Sequence, residues 1–279
     1  MMATNTIGKT RERILPKLEL LSSTNGWQER SDILSQLIRQ RYRGHTDPIQ
    51  ILEAGCGRSW PLDLAEVRFQ LTGVDLDGKA LAARQTEMHD LHHAVVGDLL
   101  TVEFPPQQFD VIYCCEVLEH IKRAEDLVRR FVIWLKPDGV ALLAFPNPNT
   151  VFGLATRLSP HWMHVAYHRY VLRIAEAGRP GYGPYRAYYN KLISRRGMHD
   201  FCRRHGLRIS LERGRPPANE SWPRWFRRLY KTVAPIVAQL SGQIVASDHM
   251  GLIYAVEKNI PTTVTQFTDA PSGLAGETR

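Results

Sequence analysis

Acidic and glycine residues follow short apolar runs at a spacing suited to holding a small polar ligand. The first run ends in Glu53 and leads into a turn that contains Gly55 and Gly57. Because glycine has no Cβ, a ligand can approach the backbone of such a turn. Glycine also adopts dihedral angles that other residues avoid. A second run ends in Asp75, where a carboxylate can accept hydrogen bonds from both hydroxyls of a ribose. Asp98 follows a third run. This order predicts one ligand site at the carboxyl ends of successive strands.

Alternating strands and helices would supply the scaffold for this site. Strands are predicted at Ile49–Glu53, Leu71–Asp75, His93–Val96, Asp110–Cys114, Val140–Phe145, Leu207–Glu212 and Asp248–Glu257. Helices are predicted near 9–22, 27–43, Ala124–Leu135, 195–205 and Trp222–Leu240. Short apolar strands that alternate with helices are typical of an α/β fold, with a parallel sheet covered on both faces.

A nicotinamide-binding site is the main competing interpretation of the glycine turn. Its fingerprint requires a third glycine three residues after the second, and that position here is Trp60. A ligand that brings no phosphate to the turn does not need that glycine. The sequence therefore favours a different nucleoside ligand.

Residues 49–145, about a third of the chain, resemble the class I S-adenosylmethionine-dependent methyltransferases, in the broad group that includes ubiquinone-biosynthesis O-methyltransferases. The matching segments, in family order, are Glu53–Gly57, Gly73–Asp75, Gly97–Leu99, Phe109–His120 and Leu135–Gly139. The resemblance implies a Rossmann-like, seven-stranded, mostly parallel sheet with a last strand inserted antiparallel. Ser59 stands where the family often has a further glycine, which is a mild departure because serine is small.

The resemblance also implies roles for individual residues, with S-adenosyl-L-methionine as the cofactor. Glu53, Gly55 and Gly57 would line the methionine part of the donor. The remaining cofactor-binding candidates are Asp75 at the ribose, the adjacent Leu76, Asp98 and Leu99 at the adenine, and Glu116 beside the pocket. Taken alone, Glu116 could instead cap the helix that follows it.

The motif formed by Glu116, Glu119 and His120 allows three interpretations. On a helix the two carboxylates would share a face and, with His120 and a further histidine, could ligate a divalent ion, as in small-RNA 2′-O-methyltransferases that the motif resembles. Alternatively His120 is a general base, because imidazole titrates near neutral pH. In the third interpretation His120 only packs at the sheet edge. We take His120 as the catalytic candidate and assign no metal.

Positive charge is concentrated in the second half of the chain. Between Arg157 and Lys231 there are 17 Lys/Arg and 4 Asp/Glu, within a chain of net charge +8. This excess of positive charge indicates either an anionic partner or a basic surface that contacts only solvent. The aromatic segment 150–195 is predicted to be a cap inserted after the fifth strand, and its acceptor-site candidates are His161, His164, Tyr167, His168 and Tyr185.

The predicted helix Trp222–Leu240 is amphipathic and basic, with Pro235 inside it. Such a helix can lie in a membrane interface, which would be a peripheral membrane contact through 222–240. Packing of the helix on its own sheet gives the same pattern and is the preferred interpretation. The expected division is N-terminal helices at 1–44, a donor-binding core at 45–149, the cap at 150–195, the end of the core at 196–259 and a disordered tail at 260–279.

The predicted activity is methyl transfer to a small lipophilic or anionic molecule, most simply at oxygen. An RNA 2′-O-methyltransferase that uses a divalent metal, and a non-catalytic protein that binds a lipid or a partner, are the alternatives. No apolar run approaches the ~20 residues of a membrane span, and the four cysteines form no CxxC pair. A cytoplasmic protein with a small-molecule substrate and reduced thiols is expected, with a membrane-peripheral location as the alternative.

Overall fold

One open sheet of seven strands forms the centre of the computed structural model, which describes residues 15–22, 26–171, 173–179, 183–217, 224–241 and 245–258. The strands are β1 (Ile49–Ala54), β2 (Phe69–Asp75), β3 (His93–Val96), β4 (Phe109–Cys115), β5 (Leu135–Pro146), β6 (Leu207–Arg215) and β7 (Gly251–Lys258). Their order is β3-β2-β1-β4-β5-β7-β6. Strand β7 runs antiparallel between β5 and β6, and the other paired strands are parallel. The predicted fold class is therefore confirmed.

Helices cover both faces of this sheet. They are α1 (Gly26–Arg41), α2 (Gly78–Ala83), α3 (Ala124–Trp134), α4 (Val151–Leu158), α5 (His161–Ala166), α6 (Arg195–Arg204) and α7 (Arg224–Leu240). Short π-helical turns extend α2 (Arg84–Met88) and α5 (Tyr167–Val171), and Leu118–His120 is a 3-10 turn. One buried cluster joins the sheet to α3 and α6. A second joins the opposite face to α1 and α2. Apolar packing on both faces therefore holds the sheet, and with it the carboxyl ends of its strands, in place.

The first predicted helix, 9–22, is wrong where the structure describes it. Residues 15–22 are extended and lie along β6, and Gly214 exchanges backbone hydrogen bonds with Glu19 and Leu21, both 2.8 Å long. Pro16 explains the difference, because a proline inside a helix removes a hydrogen bond and clashes with the preceding turn. The rest of that prediction lies outside the described residues.

No helix follows β1, although doubly wound folds usually have one there. Residues 55–68 are irregular, and the sequence Trp60-Pro61 disfavours a helix because proline restricts the residue before it to extended conformations. Leu34 and Ile38 of α1 are fully buried against this face of the sheet instead. The glycine turn therefore has no helix N-terminus behind it for a pyrophosphate, which agrees with the rejection of a nicotinamide site.

Helix α7 packs through a different face from the one predicted. Its buried residues are Tyr230, Ala234 and Ala238, and the first two contact Val151 and Phe152 of α4. The apolar stripe that was expected to cover the sheet is exposed instead, so the preferred interpretation of this helix is wrong. Trp222, its predicted first residue, lies outside the described residues. Within the part of the chain that is described, every helix is too short or too polar to cross a bilayer.

Candidate active site at the carboxyl ends of the strands

The glycine turn is tied directly to the end of β2. Gly55 has a φ of +73° and donates a 2.8 Å hydrogen bond to the carbonyl of Val74. Gly57 has a φ of +53°, and its N–H donates to Asp75 Oδ2 at 2.9 Å. Both glycines thus occupy the left-handed region that side chains disfavour. The turn and the acidic end of β2 form one unit, as the sequence predicted.

Asp75 is half-buried and holds two backbone segments at once. Its Oδ1 accepts from the N–H of Asp77 at 2.9 Å, and its Oδ2 accepts from Gly57. Each carboxylate oxygen still has a lone pair that a ribose hydroxyl could use. The neighbouring Leu76 is 76% exposed, so it offers an apolar surface at the same edge.

The third strand delivers its polar residue to this edge as well. The N–H of Gly97 donates to the carbonyl of Asp75 at 3.0 Å, which places Asp98 next to the end of β2. Asp98 is exposed and accepts from the N–H of Leu100 at 2.9 Å. The side chain of Leu99, by contrast, is buried in the core. Only the backbone of Leu99 is therefore placed to contact a ligand here.

The two glycines of the turn should respond differently to alanine. A Cβ on Gly55 would lie 2.4 Å from Val117 Cγ2, whereas a Cβ on Gly57 would meet no atom within 4 Å. We expect Gly55→Ala to lower the melting temperature more than Gly57→Ala, which only incurs the left-handed strain of about 1–2 kcal/mol. The space beside Gly57 is the cradle that a ligand would fill, so Gly57→Ala should weaken S-adenosylhomocysteine binding without unfolding the protein. Thermal melts and calorimetric titration measure the two effects, and equal melting temperatures would contradict this geometry.

Glu53 is engaged by a fully buried arginine. Arg84 Nη1 donates to Glu53 Oε2 at 2.6 Å and to the carbonyl of Cys56 at 2.9 Å, while its Nε bonds Asp90 at 3.1 Å. Burial raises the pKa of the Glu53 carboxyl, and the adjacent Arg84 opposes that rise by favouring the charged form. Arg84 therefore links the end of β1, the glycine turn and the segment after α2. It positions the residues that the resemblance assigns to the methionine part of the donor.

Glu116 leaves β4 in a strained backbone conformation. Its φ is +58°, and its carboxylate lies 3.3 Å from Arg30 Nη1 of α1. The alternative that Glu116 caps the next helix is wrong, because the 3-10 turn after it has Val117 at its N-cap position and no side-chain cap. Strain at a non-glycine residue often accompanies a functional site.

His120 faces the cap. Its Nδ1 lies 3.1 Å from the carbonyl of Arg186, and its Nε2 lies 3.9 Å from Glu119 Oε1. Burial lowers the pKa of His120 below its usual value of 6.5. Burial, and next to it the Glu116 carboxylate, raise the pKa of Glu119 to about 8. The buried Oε2 of Glu119 has no hydrogen-bond partner among the residues that the structure describes. Three titratable groups thus lie side by side where the cap meets the sheet edge.

The last part of the cap reaches over this edge. The Tyr185 ring packs edge-on against His120 with centroids 5.6 Å apart. Burial raises the pKa of the Tyr185 phenol, and the carboxylates of Asp75 and Asp77 raise it further. The N–H of Tyr188 donates to the Glu119 carbonyl at 2.7 Å. Segment 183–190 therefore connects the predicted acceptor region to the predicted donor region.

The four other cap candidates, His161, His164, Tyr167 and His168, lie on α5 and the turn that extends it. His164 Nε2 bonds Ser159 Oγ at 2.8 Å, and the Tyr167 ring packs against His168, so these contacts stay within the cap. Burial lowers the pKa of His168. Among the residues that the structure describes, no three His, Cys, Asp or Glu side chains cluster as metal ligands would.

Two arginines at the site were missed by the sequence analysis. Arg84 pairs with Glu53 across 31 positions and Arg30 pairs with Glu116 across 86. No local spacing marks such pairs. One feature of the sequence could have indicated these arginines. A buried carboxylate at the end of a core strand requires a cationic partner, and that partner has to lie on the helix packed beside the strand.

Sequence comparisons agree with this geometry. Residues 52–143 match the family model described as "Methyltransferase domain". A probable S-adenosylmethionine-dependent methyltransferase of Mycolicibacterium smegmatis is 32% identical over 156 residues, which cover 54% of this chain and 56% of that protein. A ubiquinone biosynthesis O-methyltransferase of Azoarcus sp. is 26% identical over 165 residues, which cover 57% of this chain and 64% of that protein. The chain thus spans more than half, but less than two thirds, of these curated relatives.

Solved structures share the fold over most of the chain. The [4+2]-cyclase SpnF gives a TM-score of 0.51 at 16% identity, with 87% of this chain and 86% of that chain covered. A putative S-adenosylmethionine-dependent methyltransferase from Listeria monocytogenes gives 0.50 at 14% identity, with 81% and 97% covered. Because one of these proteins is a cyclase, the fold alone does not define the reaction. Residues 52–143 thus match the methyltransferase-domain family model, and the chain shares the fold of a solved S-adenosylmethionine-dependent methyltransferase over most of its length.

Proposed function

We propose that this protein is an S-adenosylmethionine-dependent methyltransferase that methylates a small lipophilic or anionic molecule at oxygen. The observation that carries the proposal is the meeting of donor-type and acceptor-type residues at one sheet edge. The N–H of Gly57 donates to Asp75, and the Tyr185 ring of the cap contacts His120, which follows β4. Methyl transfer requires the donor and acceptor sites to lie next to each other, because proximity is a main source of rate enhancement.

The residues at the edge fit an adenosyl ligand. Asp75 can accept the ribose hydroxyls, exposed Leu76 can cover the adenine, and Asp98 lies exposed beside them. The space next to Gly57 admits a ligand against the backbone. When bound, S-adenosylmethionine supplies a methyl group activated by a positively charged sulfur. The Glu116 carboxylate, held by Arg30, can favour that positive charge electrostatically.

His120 has the tautomer that a general base requires. A carbonyl only accepts hydrogen bonds, so the contact with Arg186 requires the proton on Nδ1. Nε2 is then left with its lone pair, and the lowered pKa keeps the ring neutral near pH 7. A neutral imidazole beside the cap can take the proton that a hydroxyl acceptor loses on methylation. This chemistry supports oxygen as the target atom, as does the similarity to ubiquinone-biosynthesis O-methyltransferases.

Transfer of labelled methyl groups into fractionated cell extract tests the proposal. Lipids, small polar metabolites and RNA are separated after incubation with wild type or with Asp75→Ala, which serves as the donor-site control. We expect label in a lipid or small-metabolite fraction with wild type only. Label in RNA would overturn the small-molecule proposal. Donor binding without label in any fraction would favour a non-catalytic role.

His120 should control the pH dependence of turnover. A base with a lowered pKa is active once deprotonated, so kcat/KM should rise with pH, with its inflection below pH 6.5, and then level off. His120→Gln should remove that inflection and slow turnover about 10²–10⁴-fold, while S-adenosylhomocysteine binding stays unchanged. His205→Gln, at the C-cap of α6, is the control variant and should keep the inflection. An inflection near pH 8 that survives His120→Gln would assign the titration to Glu119 instead.

A further inference from the structure

Helix α7 carries a solvent-exposed apolar face. Trp225, Leu229, Val233, Ile236 and Leu240 fall within one narrow stripe of the helix, as expected from 3.6 residues per turn. All five are exposed, with Trp225 at 67% and Leu240 at 83%. The helix is held to the protein by its other side, through Tyr230, Ala234 and Ala238. An aligned row of large exposed apolar side chains usually marks an interaction surface.

The same helix is strongly cationic. It contains Arg224, Arg227, Arg228 and Lys231 and no acidic residue. Arg224 and Arg227 lie in the first turn, where the partial positive charge of the helix dipole disfavours cations. Arg228 lies beside the apolar stripe on the helix surface, and Arg224 lies one turn before Arg228. An anionic surface would offset this repulsion.

Helix α4, which packs against α7, adds to the exposed apolar surface. Leu154 and Leu158 are spaced by one turn of α4 and are both exposed. Trp162 of α5 is exposed as well. Tryptophan has an amphipathic ring that is favoured at the boundary between lipid and water.

We propose that α7 docks on the surface of an anionic lipid bilayer. Its apolar stripe would enter the boundary between headgroups and acyl chains, and its cations would bind lipid phosphates. Nucleic acid would satisfy the cations but not cover the apolar stripe. A second copy packed stripe against stripe would cover the apolar side chains but bring together two sets of four cations from helices that contain no acidic residue. A bilayer with negative headgroups satisfies both features. This proposal goes beyond the proposed function, and its test requires no methyl transfer.

Flotation of the wild-type chain with lipid vesicles tests the proposal. We expect the protein to float with vesicles of phosphatidylcholine mixed with phosphatidylglycerol, to float much less with phosphatidylcholine alone, and to be released by high salt. Wild type that stays at the bottom of the gradient with phosphatidylglycerol vesicles would overturn the proposal, and so would equal flotation with both vesicle types.

Two double variants separate the contribution of the apolar stripe to vesicle binding from the contribution of the cations. Leu229→Ser/Ile236→Ser should reduce partitioning about tenfold or more, and Arg224→Gln/Arg228→Gln should reduce it on the order of tenfold. Ile133→Ser, on the exposed side of α3, and Arg43→Gln, just after α1, are matched controls that should bind as wild type does. Circular dichroism checks that each variant is folded.

Unchanged vesicle binding of both α7 variants would overturn the proposal. It would also be overturned if wild type bound no vesicles and instead sedimented as a dimer that Leu229→Ser/Ile236→Ser dissociates.

Discussion

Asp75→Ala should raise the dissociation constant for S-adenosylhomocysteine about 10²–10⁴-fold, because two hydrogen bonds to a charged group contribute about 1.5–3 kcal/mol each. The carboxylate also holds the glycine turn, since it accepts from Gly57 and from Asp77 at 2.9 Å. Its removal therefore takes away the ribose acceptor and releases the loop that would cradle the donor. Isothermal titration with S-adenosylhomocysteine measures the loss directly.

Two further variants show whether the effect belongs to the carboxylate. Asp75→Asn keeps one acceptor oxygen and should fall between wild type and Asp75→Ala. Asp77→Asn keeps the oxygen that accepts from Lys79 and Ala80 at the start of α2, and should bind nearly as wild type does. If Asp75→Ala remained folded and bound S-adenosylhomocysteine as tightly as Asp77→Asn, the assignment of Asp75 to the ribose would be wrong.

Arg84→Met should lower the free energy of unfolding by about 3–5 kcal/mol, as is usual when one partner of a buried ion pair is removed. Arg84 is fully buried, and the substitution leaves Glu53 Oε2 and the Cys56 carbonyl without a donor in a site that water does not reach. Chemical denaturation measures the change. Donor binding should weaken in parallel, because the glycine turn loses its link to the segment after α2.

Arg129→Met is the matched control for Arg84→Met. Arg129 lies on α3 and pairs with Glu125 at 2.6 Å and Asp126 at 3.1 Å, but its side chain is 46% exposed. Exposed ion pairs contribute at most about 1 kcal/mol. A loss of stability no greater in Arg84→Met than in Arg129→Met would show that the Arg84 network does not hold the site together.

The strands that carry the site could be predicted from the sequence because each strand has its own local run of apolar residues. Apolar runs that end in Glu53, Asp75 and the residue before Gly97 mark three strands, and parallel strands bring their carboxyl ends to one edge. The antiparallel insertion of β7 has no such local signal and came from the family resemblance. The helix predicted at 9–22 is wrong over residues 15–22 because Pro16 overrides the apolar spacing there.

Long-range partners and solvent exposure could not be predicted in the same way. The pairing of Arg84 with Glu53 exists only after α2 packs beside β1. The amphipathic pattern of α7 defines an apolar face but does not show which part of the protein covers that face. In the structure the packed side of α7 is formed by Tyr230, Ala234 and Ala238. Tyr185 was singled out as one aromatic residue among many, and only the folded cap places it against His120.

Calorimetric titration of the wild-type chain with S-adenosylhomocysteine tests the central claim most directly. If the ends of β1, β2 and β3 form one adenosyl site, the titration should show one ligand per chain, with an affinity that Gly57→Ala and Asp75→Ala both weaken. Absence of binding to folded wild type, or binding that neither variant alters, would contradict the assignment of this edge as the donor site.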